Sequence, residues 1–150
     1  MRIRPSRPSD LDALRPLLSE LAGEDVPRHT VRQRLEMLCR DDTEQLYLCE
    51  VDGVVEGAFG FRLRENLEDD TCYGEVSLLV TARRARGKGL GQAMIRFAEG
   101  LAREHGCIGT WLVSGFGREE EAHAFYQRQG YRITGYRFVK PLDALEAIRS

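Results

Sequence analysis

Nowhere in these 150 residues is there an apolar run long enough to cross a bilayer, which takes about 20 residues as a helix. The opening stretch, MRIRPSRPSD, lacks the apolar core of a secretory signal. A cytoplasmic, reducing setting is therefore expected, with no membrane partner. Cysteine is sparse and scattered. Cys39, Cys49, Cys72 and Cys107 make no Cys-x-x-Cys pair, so neither a metal site nor a disulfide framework is expected, and the four read as free thiols. Excess charge of either sign is missing too. Lys and Arg number 22 against 24 Asp and Glu, a formal net charge of −2, which argues against a general nucleic-acid binder. No repeat, low-complexity tract or linker divides the chain, so a single domain over residues 1–150 is expected.

What remains is an ordinary globular composition, 42% hydrophobic and 31% charged. A short extended start around Ile3 leads to Ser9 and Asp10, either of which can cap a helix bearing Leu11, Leu14, Leu17, Leu18 and Leu21 on one face. Gly23 suits its end. Thr30 is the expected cap of a second helix carrying Val31, Leu35 and Leu38. Strands are predicted over 46–51 and from Val54 to about Leu63, joined by the two-residue turn Asp52-Gly53. A polar, acidic loop follows, then a strand over 74–81 with an apolar centre, as suits a strand covered on both faces. A helix with Leu90, Met94, Phe97, Ala98 and Leu101 along one side should end at Gly106. Strand 108–114, helix 119–129 capped by Gly130, and a last strand over 131–139 complete the chain. The order β-α-α-β-β-β-α-β-α-β predicts one mixed α/β sheet with helices on both faces.

The turn at 81–91 concentrates the chemistry. Arg83, Arg84, Arg86 and Lys88 interleave with Gly87, Gly89 and Gly91 just before a helix. Glycines allow positive φ and close approach of a ligand to the amides. The unpaired N–H groups and dipole of the following helix point at the same turn. Amides, helix end and cations together make an anion site fit for a pyrophosphate. A Walker loop is absent, and the spacing Gly-x-Gly-x-Gly late in the chain is not the dinucleotide fingerprint.

These residues resemble the GNAT superfamily of acyl-CoA N-acetyltransferases. Its motif Arg/Gln-x-x-Gly-x-Gly/Ala at a strand–helix junction is matched by Arg86, Gly89 and Gly91. A second block, Ala122-His123-Ala124-Phe125-Tyr126-Gln127-Arg128-Gln129-Gly130-Tyr131, resembles the family's Ala-x-x-Phe-Tyr-x-x-x-Gly-Phe/Tyr signature. The resemblance implies acetyl-CoA as cosubstrate, with its pyrophosphate on the amides of Arg86, Gly87, Lys88, Gly89, Leu90 and Gly91. It implies that Leu79, Val80 and Thr81 hold the pantetheine arm as a pseudo-strand. An amide near Val80 would polarise the thioester carbonyl. Tyr126 matches the tyrosine that members place near the sulfur, where it would protonate the leaving thiolate. Glu75, on the strand before the turn, is the candidate general base, and alternation puts it on one face with Ser77, Leu79 and Thr81. Thr81 and Arg83 stand where many members have valine and proline, and Glu119 where an asparagine often touches the cofactor.

Other residues have plainer readings. His29, His105 and His123 suit surface or helix-terminal positions, and Trp111 a core one. The acids Glu65, Glu68, Asp69 and Asp70, with Glu24 and Asp25, suit solvated loops or the lining of a cationic acceptor site. Three function classes follow: acetyl transfer to a primary amine, a non-catalytic acyl-CoA-binding regulatory domain, and a nucleic-acid module using the Arg83 to Lys88 patch. The last lacks further basic or aromatic blocks, and the first is favoured. Acceptors consistent with the pattern are small amines, aminoglycoside-like compounds, polyamines and peptide N-termini, and a homodimer is compatible with it.

Overall fold

The computed structural model describes residues 1–114 and 119–143. They divide into two compact units, 1–112 and 113 onward. The first unit holds a five-stranded sheet in the order β1-β2-β3-β4-β5, with β1 Arg2–Pro5, β2 Glu44–Val51, β3 Val54–Glu65, β4 Cys72–Thr81 and β5 Gly109–Leu112. The first four strands are antiparallel neighbours, and β5 runs parallel to β4. Helices α1 (Leu11–Ala22), α2 (Arg28–Leu38) and α3 (Leu90–Glu104) complete this unit. The second unit contains α4, Glu119–Arg128.

Strand alternation sorts the core into two layers. Tyr47, Phe59 and Phe61 point to the face covered by α3. Tyr47 stacks on Phe59 at 5.1 Å between centroids, and Phe97 of α3 meets both rings. Glycines let α3 come close. A Cβ at Gly57 would lie 2.9 Å from Met94 Cε of α3, and one at Gly74 3.2 Å from Ala102 Cβ of the same helix. The opposite face carries Leu46, Leu48 and Ala58 beneath the buried Leu14, Leu17, Val31 and Leu35 of α1 and α2. At the sheet's far edge, Arg4 joins Asp10 and Glu50 at 2.8 and 2.7 Å, and its guanidinium holds the Asp10 carboxyl below the usual carboxylate range.

The predicted turns appear where their chemistry placed them. Asp52 and Gly53 take φ of 51° and 79° in the β2–β3 hairpin, and Gly23 closes α1 in the left-handed region. Several expectations need correction. Helix α2 starts at Arg28, because extended Pro27 takes the N-cap position and puts Thr30 inside the first turn. Leu21 and Phe97 lie at the margins of their helices' buried faces, and Ile95 and Ala102 take core places on α3 instead. Trp111 is 36% exposed. The strand expected over 131–139 is not found: these residues join no ladder among the described residues, and Tyr136 and Phe138 are exposed. Alternation supplies a strand with a face, but only a paired neighbour makes it a strand.

Candidate active site

Strand β4 is irregular at one point. Gly60 of β3 is partnered by Leu78, and the next pair is Phe61 with Val76, so Ser77 is an extra residue in β4. Two residues opposite one make a β-bulge, which resets the alternation. Glu75, Ser77, Leu78 and Val80 therefore face α1 and α2, whereas Leu79 and Thr81, opposite Phe59 and Gly57, face α3. The expected common face of Glu75, Ser77, Leu79 and Thr81 is corrected accordingly. A glycine at position 60, inside an apolar strand, is the sequence signal that could have revealed the bulge.

The bulge coincides with the end of pairing on the other side. β5 accompanies β4 from Tyr73 to Val76 and stops at Leu112. From Ser77 to Thr81, the β4 edge away from β3 has no strand beside it among the described residues of this unit. Which amides face that edge follows from one bond. Ala82 N–H donates to Glu56 O at 2.8 Å, toward β3, so by the period of two Val80 also faces β3, where Ala58 is its register partner. Leu79 and Thr81 turn their N–H and C=O groups outward. Consistently, the outward Thr81 carbonyl accepts from Arg86 Nε at 3.4 Å.

A short 3-10 turn, Arg83–Ala85, carries the chain from β4 into the glycine segment. Gly87 and Gly89 have φ of 76° and 83°, and a Cβ on either would meet nothing within 4 Å. These glycines serve conformation and leave the surface open. Gly89 is the N-cap of α3 and offers no side chain, and the first intrahelical bond is Ala93 N–H to Gly89 O at 3.1 Å. The amides of Gly87 to Gln92 thus have no backbone partner ahead of that bond among the described residues. The donors, the positive φ angles and the dipole of a 15-residue helix converge where a phosphate would sit. The turn is anchored from below: Arg84 Nε lies 2.9 Å from Glu56 Oε2. Arg86 leans back to Thr81, and Arg83 and Lys88 make no ion pair among the described residues.

Glu75 is buried, with Arg64 Nε at 2.8 Å and Arg62 Nη1 at 3.7 Å. Arg62 also lies 2.7 Å from Glu44. Of these charges, Arg62 and Glu44 line a groove of about 460 Å³ between α1, α2 and β2–β4. Leu14, Leu35 and Leu38 make its apolar wall, Arg34 and Asp41 lie at its rim, and it ends at Gly60, Ser77 and Leu78 of the bulge. Sequence periodicity gave no sign of it, since its residues come from five elements. The acidic loop before Cys72 lies at the other end of β4 from the glycine turn, and Asp69 there binds Thr71 N–H at 2.9 Å.

Tyr126 belongs to the second unit, on α4. Its ring meets Phe125 and Tyr131 edge-on at 5.2 and 6.0 Å. Burial pushes its phenol above the ordinary value, with the neighbouring Tyr131 adding to the shift. Gly130, at φ 95°, closes the helix as expected. Arg118 and the Glu119 side chain lie outside the described residues. Among the described residues, no group of three or more His, Cys, Asp or Glu is placed to hold a metal ion, and no helix is long and apolar enough to cross a membrane.

Comparison with known proteins shows the family and the fold. The acetyltransferase (GNAT) family matches residues 11–131. The aminoalkylphosphonate N-acetyltransferase of Salmonella typhimurium is 28% identical over 140 residues, covering 93% of this chain and 90% of that protein. An uncharacterised N-acetyltransferase of Bacillus subtilis is 30% identical over 128 residues, 85% of this chain and 88% of the relative. Among solved structures, an acetyltransferase from Agrobacterium tumefaciens superposes with a TM-score of 0.83 at 21% identity, over 93% of this chain and all of that one. The strand–turn–helix with free amides is thus seen in a chain that, by its match across both units, belongs to the acetyltransferase (GNAT) family.

Proposed function

We propose that the protein transfers the acetyl group of acetyl-CoA to the primary amine of a small acceptor, by direct attack on the thioester. Acetyltransferases of this family generally use acetyl-CoA, and N-acetylation is consistent with the relatives. The observation that carries the reading is the continuity between the open edge of β4 at Leu79 and Thr81 and the free amides of Gly87 to Gln92. A diphosphate on the turn and an extended arm along the strand fit those donors. The family match spans both compact units, which supports treating 1–150 as one N-acetyltransferase domain.

When bound, acetyl-CoA supplies an activated carbonyl carbon for a neutral amine. The chain's residues do the rest. The amides of Gly87, Lys88, Gly89, Leu90 and Gly91 hold phosphate charge, with Arg86 and Lys88 adding screened attraction. Leu79 N–H, directed outward, is the best-placed donor for the thioester oxygen; Val80, directed at β3, positions the strand. Tyr126 is the proposed acid. Its raised pKa keeps the phenol protonated, and a thiol pKa of about 8.5 makes a phenol an adequate donor to the leaving thiolate. Glu75 is tied to Arg64 and Arg62. That pairing supports an anchoring role between β3 and β4, with a base role as the alternative.

The groove ending at Ser77 and Leu78 suits the acceptor, because Leu78 is the chain neighbour of Leu79, whose N–H is directed to the open strand edge. Its apolar wall and mixed charges at Arg34, Asp41, Glu44 and Arg62 fit a small aminoalkyl compound with a polar head. The test is release of free coenzyme A thiol across a panel of aminoalkylphosphonates, aminoglycosides, polyamines and peptide N-termini. Turnover with one class well above the rest supports the enzyme reading. Binding of acetyl-CoA with no transfer to any member would favour the acyl-CoA-binding regulatory alternative.

A further inference from the structure

Cys72 opens β4, and Cys107 sits in the connection between α3 and β5. Their sulfurs are 3.2 Å apart, closer than the roughly 3.5–4.0 Å at which nonbonded carbon atoms pack. The backbone fixes this approach. Ile108 N–H donates to Cys72 O at 2.9 Å, and Cys107 N–H to Ala102 O at 2.9 Å. Both cysteines are half-buried and free, so a small oxidant can reach them, whereas Cys49 is buried. Spacing of 35 in the sequence gave no hint of the pair; the parallel β4–β5 pairing brings the two together.

We propose that Cys72 and Cys107 form a redox modification site, closing reversibly to an intramolecular disulfide when a peroxide reaches it. Hydrogen peroxide oxidises one thiol to a sulfenic acid with release of one water. The second sulfur then displaces the hydroxyl, and its own proton leaves with that hydroxyl as a second water. One S–S bond forms, two S–H bonds break, and the peroxide carries off both electrons. The sulfurs need to close by only about 1 Å to reach a disulfide length of about 2.05 Å. Burial and the contact with Cys72 push the Cys107 thiol up to about 11, so Cys72 serves as the sulfur that attacks the peroxide and is oxidised first, and Cys107 as the resolving thiol. The bridge would enclose the rest of β4, the glycine turn and α3 in one loop. It lies at the opposite end of β4 from Leu79 and Thr81, so it staples this half of the fold without covering the proposed cofactor edge.

The test uses the intact protein, fully reduced, then treated with hydrogen peroxide and alkylated under denaturing conditions. The expected product is lighter by two hydrogens before alkylation, keeps two alkylatable cysteines, and yields a cross-linked pair of peptides containing Cys72 and Cys107. Dithiothreitol should restore all four thiols, and the bridged form should melt roughly 5 °C or more above the reduced one. Cys107→Ser should lose the cross-link and carry added oxygen at Cys72. Four alkylatable thiols after treatment, oxygen on Cys72 of the unaltered protein without a bridge, or pairing through Cys39 would each overturn the proposal.

Discussion

The Ser77 hydroxyl of β4 occupies the position that a Cβ on Gly60 of β3 would take. The bulge at Ser77 therefore rests on the missing side chain of its cross-strand neighbour. Gly60→Ala should push Ser77 out of place and lower stability by about 1–3 kcal/mol, read as a fall in thermal midpoint. Adding Ser77→Ala should restore part of the loss, because the clash is with the hydroxyl. If Gly60→Ala alone melts like the unaltered protein, Ser77 turns away freely and the bulge does not depend on this pair.

Gly89 carries a φ of 83° at the start of α3. Gly89→Val places a β-branched side chain in that region, at a backbone cost of about 1–2 kcal/mol, and sets its methyls over the amides. Stabilisation by acetyl-CoA in a thermal-shift measurement should disappear while the protein alone still folds. Undiminished stabilisation would remove the turn from the cofactor site.

Glu75 offers a contrast between packing and chemistry. Glu75→Gln keeps the shape but leaves Arg64 without its carboxylate. Anchoring predicts a lower melting temperature with kcat changed less than about fivefold and an unaltered pH profile. A loss of roughly 10²-fold or more, with disappearance of the acidic limb of the pH–rate curve, would instead identify Glu75 as the base.

Tyr126→Phe retains the ring contacts with Phe125 and Tyr131, so the midpoint should hold. Turnover should fall by roughly 10²-fold with acetyl-CoA affinity unchanged. The pH dependence carries a sign. The phenol is raised above its ordinary value, so the acid stays protonated through neutral pH, and rate is lost only as pH climbs past the usual phenol range of about 10. Full turnover in the variant would assign the proton to water and leave Tyr126 a packing residue.

Much of this was legible in the sequence where local chemistry decides the backbone. Gly23, Asp52-Gly53, Gly89, Gly106 and Gly130 all stand at positive φ, and the helix and hairpin limits follow from them within a few residues. The glycine turn was legible for the same reason, since glycines and cations act within one short segment. Long-range register was not. Nothing local to β4 says that Ser77 is extra, and that one residue decides which amides face outward. Ion pairing was equally hidden: Glu75 meets Arg62 and Arg64 only through the β3–β4 register. The strand expected over 131–139 failed because alternation describes a face and not a neighbour.

In the proposed function, one continuous line of backbone donors, from Leu79 and Thr81 to the start of α3, receives acetyl-CoA. Amide-resolved nuclear magnetic resonance of the labelled protein, titrated with acetyl-CoA, tests it most directly. The amides of Leu79, Thr81 and Gly87 to Gly91 should shift together and saturate at one dissociation constant, while Val80, directed at β3, shifts less. Saturable binding that leaves those amides in place and moves another surface would contradict the account.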